Sequence, residues 1–178
     1  MRGSYNDLGV IIKTQDYKEA DKVITILTAT HGLVHYFAIG ARRSASKKAA
    51  HLDLLSHIKF SANTSNNQSY LMQADSLNFF AEIKNNLKKI GLAMSFLEII
   101  YHLLPAEVED NETYKSFVIF LDSLNNSKDE NSDKVLSRKF GSYLLRHLGY
   151  PPPPSSGTNL SNYFETLMNR KIIGKEIG

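Results

Sequence analysis

The densest concentration of chemistry in the sequence is a run of cations. GARRSASKK, at 40–48, places Arg42, Arg43, Lys47 and Lys48 within seven positions, among small residues that allow a backbone to approach closely. Guanidinium forks bind phosphate bidentately and lysines add point charges, so the pattern suits a polyanion. The segment before it carries His35, Tyr36, Phe37 and Ile39. An aromatic strand leading into a basic loop is how barrel folds set a stacking surface beside an electrostatic groove. Strand alternation allows only one of Tyr36 and Phe37 to face outward, so both are candidates for stacking on bases. Lys13, Lys22 and Lys59 are secondary candidates for phosphate contact. The competing explanation is a solvated loop beneath an ordinary core strand.

Other constellations are weaker. Asp16, Glu19 and Asp21 form the tightest carboxylate group, but Lys13, Lys18 and Lys22 surround them. They read as a salt-bridged hairpin, since general acid–base work needs a carboxyl held in an apolar pocket. His31 and His35 have a metal-like spacing but straddle a turn and lack an obvious third ligand. No glycine-rich phosphate loop and no nucleophile elbow occurs. With no Cys, thiolate zinc sites, disulfides and cysteine catalysis are excluded, and neither zinc nor another cofactor is expected.

The 178 residues are 42% hydrophobic and 22% charged, enough for one domain or two small ones with a real core. Charge is unevenly divided. Residues 1–80 hold nine Lys and Arg against six Asp and Glu, whereas 81–178 hold twelve of each, so the net +3 belongs to the first half. No acidic residue stands between Asp21 and Asp53. That asymmetry favours an anionic partner for the first half. No apolar run is long enough to span a membrane, and the first residues lack a secretory pattern, so the expected setting is a soluble, reducing cytoplasm. Met1-Arg2-Gly3-Ser4 resembles a vector leader and is left out of the fold reasoning.

These residues must be positioned by two unlike halves. Gly9–Thr14, Lys22–Thr30, 33–40, Leu54–Ala62 and Tyr70–Asp75 read as short strands, with His31-Gly32 as a turn and Asn63–Ser69 as a polar linker. Five short strands in this length suggest a small closed or partly closed barrel of OB size, a pattern that an SH3-like barrel would share. After Phe80 the period changes to helical: Ile83, Leu87, Ile90, Met94, Leu97, Tyr101 and Leu104 fall on one face, ended by Pro105. A second helix carries Tyr114, Phe117, Leu121 and Leu124. A third runs from about Lys134, with Asp133 as its cap, to Gly149, and a last short one lies at 160–170. The expected fold class is α+β: an OB-type barrel at 1–80, then a helical bundle at 81–178.

The order of residues over 9–52 goes beyond composition. Lys13-x-x-Asp16-Tyr17-x-Glu19-Ala20-Asp21, Thr25, Thr28, His31-Gly32, Gly40-Ala41-Arg42-Arg43 and His51-Leu52 resemble the start of the recombination mediator RecO family. So do the Gln73-Ala74 strand running to Phe79-Phe80 and the Leu148-Gly149-Tyr150-Pro151 helix end. The resemblance implies an OB-fold followed by helices and a non-enzymatic role in recombinational DNA repair. It implies binding of single- and double-stranded DNA, strand annealing and assistance to recombinase loading. The implied partners are the recombination protein RecR and the C-terminal tail of single-strand-binding protein. A receiver for that tail would be an apolar pocket flanked by cations, for which Arg138, Lys139 and Arg146 beside Phe140, Tyr143 and Leu144 are the candidates. Two features depart from the family. PPPPSSGTN occupies the place of a four-cysteine zinc module, and Ile39 stands where Lys often precedes Gly-Ala-Arg-Arg. A protein adaptor without DNA affinity and a hydrolase built on Asp16, Glu19 or the histidines are the rival readings.

Overall fold

The computed structural model describes residues 3–43, 46, 48–154 and 159–174. Five strands, β1 (Gly3–Tyr17), β2 (Asp21–Thr28), β3 (Leu33–Ala38), β4 (His57–Ser65) and β5 (Gln68–Asn78), close into a barrel in the order β1-β2-β3-β5-β4. All pairs are antiparallel except β3 with β5. The fold begins earlier than Gly9: Gly3 and Ser4 already pair with Thr64 and Asn63 of β4. β1 reaches both β4 and β2 because its register slips between Ile11 and Lys13. Such a bulge bends a strand and lets it serve two neighbours. Gly9 sits where these pairings overlap, and a Cβ there would fall 2.3 Å from the Ile26 side chain and 2.9 Å from the Leu27 carbonyl.

Ile11, Ile24, Ile26, Val34, Tyr36, Ile58, Phe60 and Leu71 fill the barrel, with Ala41 and Leu52 of the β3–β4 connection buried in the same cluster. The β4–β5 segment expected as a linker is strand almost throughout. Only Asn66 and Asn67 lie outside the ladder, at φ +51° and +57°, the left-handed pair that a two-residue type I′ hairpin requires. Alternation of polar residues on an exposed ribbon had hidden the strands.

The chain divides into two compact units. The first is Met1–Phe79 with Pro105–Tyr114, and the second is Phe80–Leu104 with Lys115–Gly178. Residues 105–114, which the expected division after residue 80 assigns to the helical half, are thus grouped with the barrel. Ala106 bridges to Leu33, the Glu107 amide donates to the Leu33 carbonyl (3.0 Å), and Asn111 Nδ2 donates to the Ala29 carbonyl (2.6 Å).

The helical elements are α1 (Ala81–Lys84), α2 (Leu87–Leu103), α3 (Asn111–Asn126), α4 (Glu130–His147) and α5 (Leu160–Met168). The expected continuous helix after Phe80 is broken, because the Asn86 side chain accepts from the Lys88 and Lys89 amides and starts a new helix. Asp129, not Asp133, caps α4, its carboxylate accepting the Ser132 amide (2.9 Å). Asp133 is buried one turn in and accepts from the Ser127 hydroxyl. Phe96, Phe120 and Phe140 meet pairwise at 4.9 Å between ring centroids and form the aromatic centre of this unit. Among the described residues, no helix is long and apolar enough to cross a membrane.

Candidate nucleic-acid interface

Three rings line up on the outside of the barrel. β3 alternates so that Tyr36 points inward, fully buried, and Phe37 points outward, half-buried. Phe37 lies 5.4 Å from Tyr17 on β1, edge to face, and 5.8 Å from Tyr70 on β5. Tyr70 is opposite Phe37 in the parallel β3–β5 pairing, which is why residues far apart in sequence form one surface. Lys18 follows Tyr17 in the hairpin tip at φ +52° and holds its ammonium 5.1 Å from the Tyr17 ring centre.

The basic loop is tied to the same hairpin. Arg42 Nη2 is 3.4 Å from the Asp16 carboxylate, Nη1 donates to the Lys18 carbonyl (3.2 Å), and the Arg42 amide donates to the Ala20 carbonyl (2.9 Å). The Gly40 amide donates to the Asp21 carboxylate at 2.7 Å. Asp16 and Asp21 therefore anchor a cationic loop and stand in no apolar pocket, as the hairpin reading of the carboxylate group expects. Arg42 and Arg43 are both exposed, and Arg42 is joined to the hairpin that carries Tyr17.

The remaining sequence candidates divide. Lys47 lies outside the described residues. Lys48 Nζ donates to the Leu71 carbonyl of β5 (3.0 Å), and burial holds its amine below the ordinary lysine range, with Asp21 opposing that shift. It is a cation partly used by the fold. Lys22, second in β2, is half-buried opposite Asp16 and Ala38, and Lys13 is half-buried at the β1 bulge opposite Thr25. Lys59 is exposed on β4 between Leu8 and Asp75, with β1 intervening before β2, so it is not part of the loop cluster.

Tyr36 is a correction. Its phenol meets the Tyr5 phenol at 3.1 Å and its ring packs edge-on against Phe60 inside the barrel. Burial, followed by the Tyr5 phenol, holds its ionisation far above the usual tyrosine range. A base cannot reach it. Sequence reasoning in turn missed Tyr17, Tyr70 and Lys18. An aromatic followed by a cation at a hairpin tip was the available signal for Tyr17 and Lys18, whereas Tyr70 required the β3–β5 pairing. The two histidines also part: His31 Nδ1 meets Asp7 at 2.9 Å, and His35 Nδ1 meets the Thr25 hydroxyl at 2.8 Å.

The first 80 residues match the protein family described as Recombination protein O N terminal. The RecO likeness extends past the barrel. The chain is 29% identical over 149 residues to the DNA repair protein RecO of Symbiobacterium thermophilum, an alignment covering 83% of this chain and 58% of that protein. It is 30% identical over 148 residues to RecO of Roseiflexus sp. (83% and 51%), and 24% identical over 160 residues to RecO of Dehalococcoides mccartyi (90% and 62%). The chain thus spans a little over half the length of the RecO proteins it matches.

In the helical unit of this RecO-like chain, the expected peptide pocket is not built as the sequence suggested. Phe140 and Leu144 are 5% and 0% exposed and belong to the core. Tyr143 stacks on His147 at 5.4 Å and on Phe140 at 6.2 Å. Arg138, Lys139 and Arg146 are exposed on the outer side of α4. Arg138 lies opposite Phe140 and Leu144, whereas Lys139 and Arg146 stand one turn from Tyr143, along the edge of the packed face.

Proposed function

We propose that this chain is a non-enzymatic DNA-binding protein of recombinational repair, taking a single strand on the Tyr17–Phe37–Tyr70 face. Arg42, Arg43, Lys18 and Lys47 contact phosphates, with Lys48, Lys13 and Lys22 as weaker contributors. The observation that carries the reading is the contiguity of three outward rings with a basic loop pinned to the same hairpin. Aromatic faces accept any base and cations accept any phosphate, so binding of this kind is independent of sequence. Double-stranded DNA offers the phosphates but not the unstacked bases, and binds through the cations alone. Annealing follows from the same modest charge, which screens the repulsion between two strands without gripping either one tightly. The RecO likeness supports the repair setting, the assistance to recombinase loading, and RecR and the single-strand-binding protein tail as partners.

The test is annealing of two complementary labelled strands across a salt series, with the native chain and with Arg42→Ala/Arg43→Ala. Each lost phosphate contact lowers the single-strand salt slope by about 0.7, so the double variant should lose about 1.4 and anneal poorly. A chain that neither binds nor anneals DNA at low salt would leave a protein adaptor as the reading.

A further inference from the structure

The barrel unit contains a second concave site whose chemistry is the reverse of the basic loop. A cavity of about 550 Å³ is lined by Tyr5, Thr30, His31, Thr64, Ser69 and other residues that include Glu107 and Glu109. Its volume is in the range of ligand-binding clefts. Among the described residues, the charged side chains that line it are both carboxylates, and no Lys or Arg contributes. Carboxylates alone would be an ordinary solvated rim, but here a buried acid stands behind them. Asp7, its side chain 2% exposed, accepts from the Leu8 amide (2.8 Å), the Thr30 hydroxyl (2.8 Å) and His31 Nδ1 (2.9 Å).

That arrangement fixes the imidazole. An ionised carboxylate can only accept, so His31 Nδ1 carries the proton and the neutral ring has its lone pair on Nε2. The His31 ring is held against Tyr5 at 4.4 Å between centroids and is 45% exposed in its side chain. Thr30 donates its own hydroxyl proton to Asp7 and its oxygen lies 2.8 Å from His31 Nδ1, which leaves one lone pair. The lining thus offers acceptors in several chemical forms: two carboxylates, a fixed imidazole nitrogen, hydroxyl oxygens and the Tyr5 ring face. Phosphate would meet carboxylates at this site. A guanidinium, with five donors and no acceptor, matches it.

We propose that this cavity receives an arginine side chain of a protein partner, at a site separate from the DNA-binding face. Residues 105–114 make the site, because Glu107 and Glu109 reach it only through the docking of that segment on Leu33 and Ala29. The basic loop and the acidic cavity allow one barrel to hold a polyanion and a basic protein segment at once.

The experiment is titration of the isotopically labelled full chain with N-acetyl-arginine methylamide, followed by amide chemical shifts. Its citrulline counterpart and inorganic phosphate serve as comparison probes. A single side chain should saturate the Thr30, His31, Glu107 and Glu109 signals with a dissociation constant on the order of 1–10 mM. The neutral citrulline probe should not. Glu107→Gln/Glu109→Gln should weaken the arginine probe about tenfold, with Glu109→Gln alone giving a smaller loss. DNA affinity of the double variant at physiological salt should stay within about twofold of the native chain, because screening confines the lost charges to their own site. Absence of saturable shifts, equal response to citrulline, unchanged arginine affinity in the double variant, or phosphate moving the same signals would each overturn the proposal.

Discussion

Gly32 is the residue on which the seating of 105–114 depends. It turns the chain between β2 and β3 at φ +70°, and its carbonyl accepts both the Thr28 amide (2.8 Å) and the Thr28 hydroxyl (3.0 Å). A Cβ at this position would lie 1.9 Å from the Val108 carbonyl oxygen and 2.6 Å from its carbon. Both are backbone atoms and cannot rotate aside. Gly32→Ala therefore carries two costs. The left-handed backbone costs an alanine about 1–2 kcal/mol. Retreat of the segment removes the Glu107–Leu33 and Asn111–Ala29 hydrogen bonds, about 1 kcal/mol each. The expected total is about 3–4 kcal/mol. Urea unfolding followed by circular dichroism measures it, and amide hydrogen exchange at Glu107 localises it. Gly32→Asn separates the two costs, because asparagine tolerates the left-handed region yet keeps a Cβ: it should recover about 1 kcal/mol and no more. Loss of less than about 1 kcal/mol in the alanine variant, with Glu107 still protected, would refute the packing argument.

Three further outcomes follow from individual contacts. Tyr114 donates to or accepts from His57 Nε2 at 2.8 Å, and burial, then Asp7, pushes its phenol up to about 12 from 10.0. The unfolded chain ionises first, so this stabilisation is complete below pH 10 and lost as pH rises to about 12; Tyr114→Phe should flatten that part of an alkaline unfolding curve monitored by tyrosinate absorbance. The Asp129 carboxyl is held below its usual range by the Ser132 amide and then the Ser132 hydroxyl. Its stabilisation of α4 is therefore present above the unfolded value of 3.8 and lost as pH falls through the lower folded one, so Asp129→Asn should reduce the acid sensitivity of helical circular dichroism. Because Lys48 is engaged by Leu71, Lys48→Ala should lower the DNA salt slope by less than Arg43→Ala does, where a full phosphate contact is worth about 0.7; an equal or larger drop would return Lys48 to the main site.

The β-branched runs and the change of period after Phe80 made the strands and the helical half legible, because burial imposes those patterns directly. The basic loop was legible for a different reason: four cations in seven positions need no fold to be seen. What sequence could not supply was adjacency. Phe37 and Tyr70 meet through a parallel pairing between β3 and β5, and Tyr17 joins them across β2. The choice between Tyr36 and Phe37 also needed the register, since a one-residue slip exchanges every inward and outward side chain. Phe140 and Leu144 misled because a basic amphipathic helix reads the same whether its apolar side faces a peptide or a core. Asn86 and Asn66-Asn67 carried real local signals, a cap and a type I′ turn, that the longer hydrophobic period and the polar composition obscured.

The central claim is that the outward rings, and not the buried one, bind single-stranded DNA. Fluorescence anisotropy with a labelled oligothymidine compares Phe37→Ala with Tyr36→Phe directly. One lost stacking platform is worth about 1–3 kcal/mol, so Phe37→Ala should weaken binding by about tenfold or more while the circular dichroism of the barrel is kept. Tyr36→Phe should cost about 1 kcal/mol of stability through the lost Tyr5 hydrogen bond and leave DNA affinity unchanged. Unchanged affinity in Phe37→Ala, or a loss confined to Tyr36→Phe, would contradict the account.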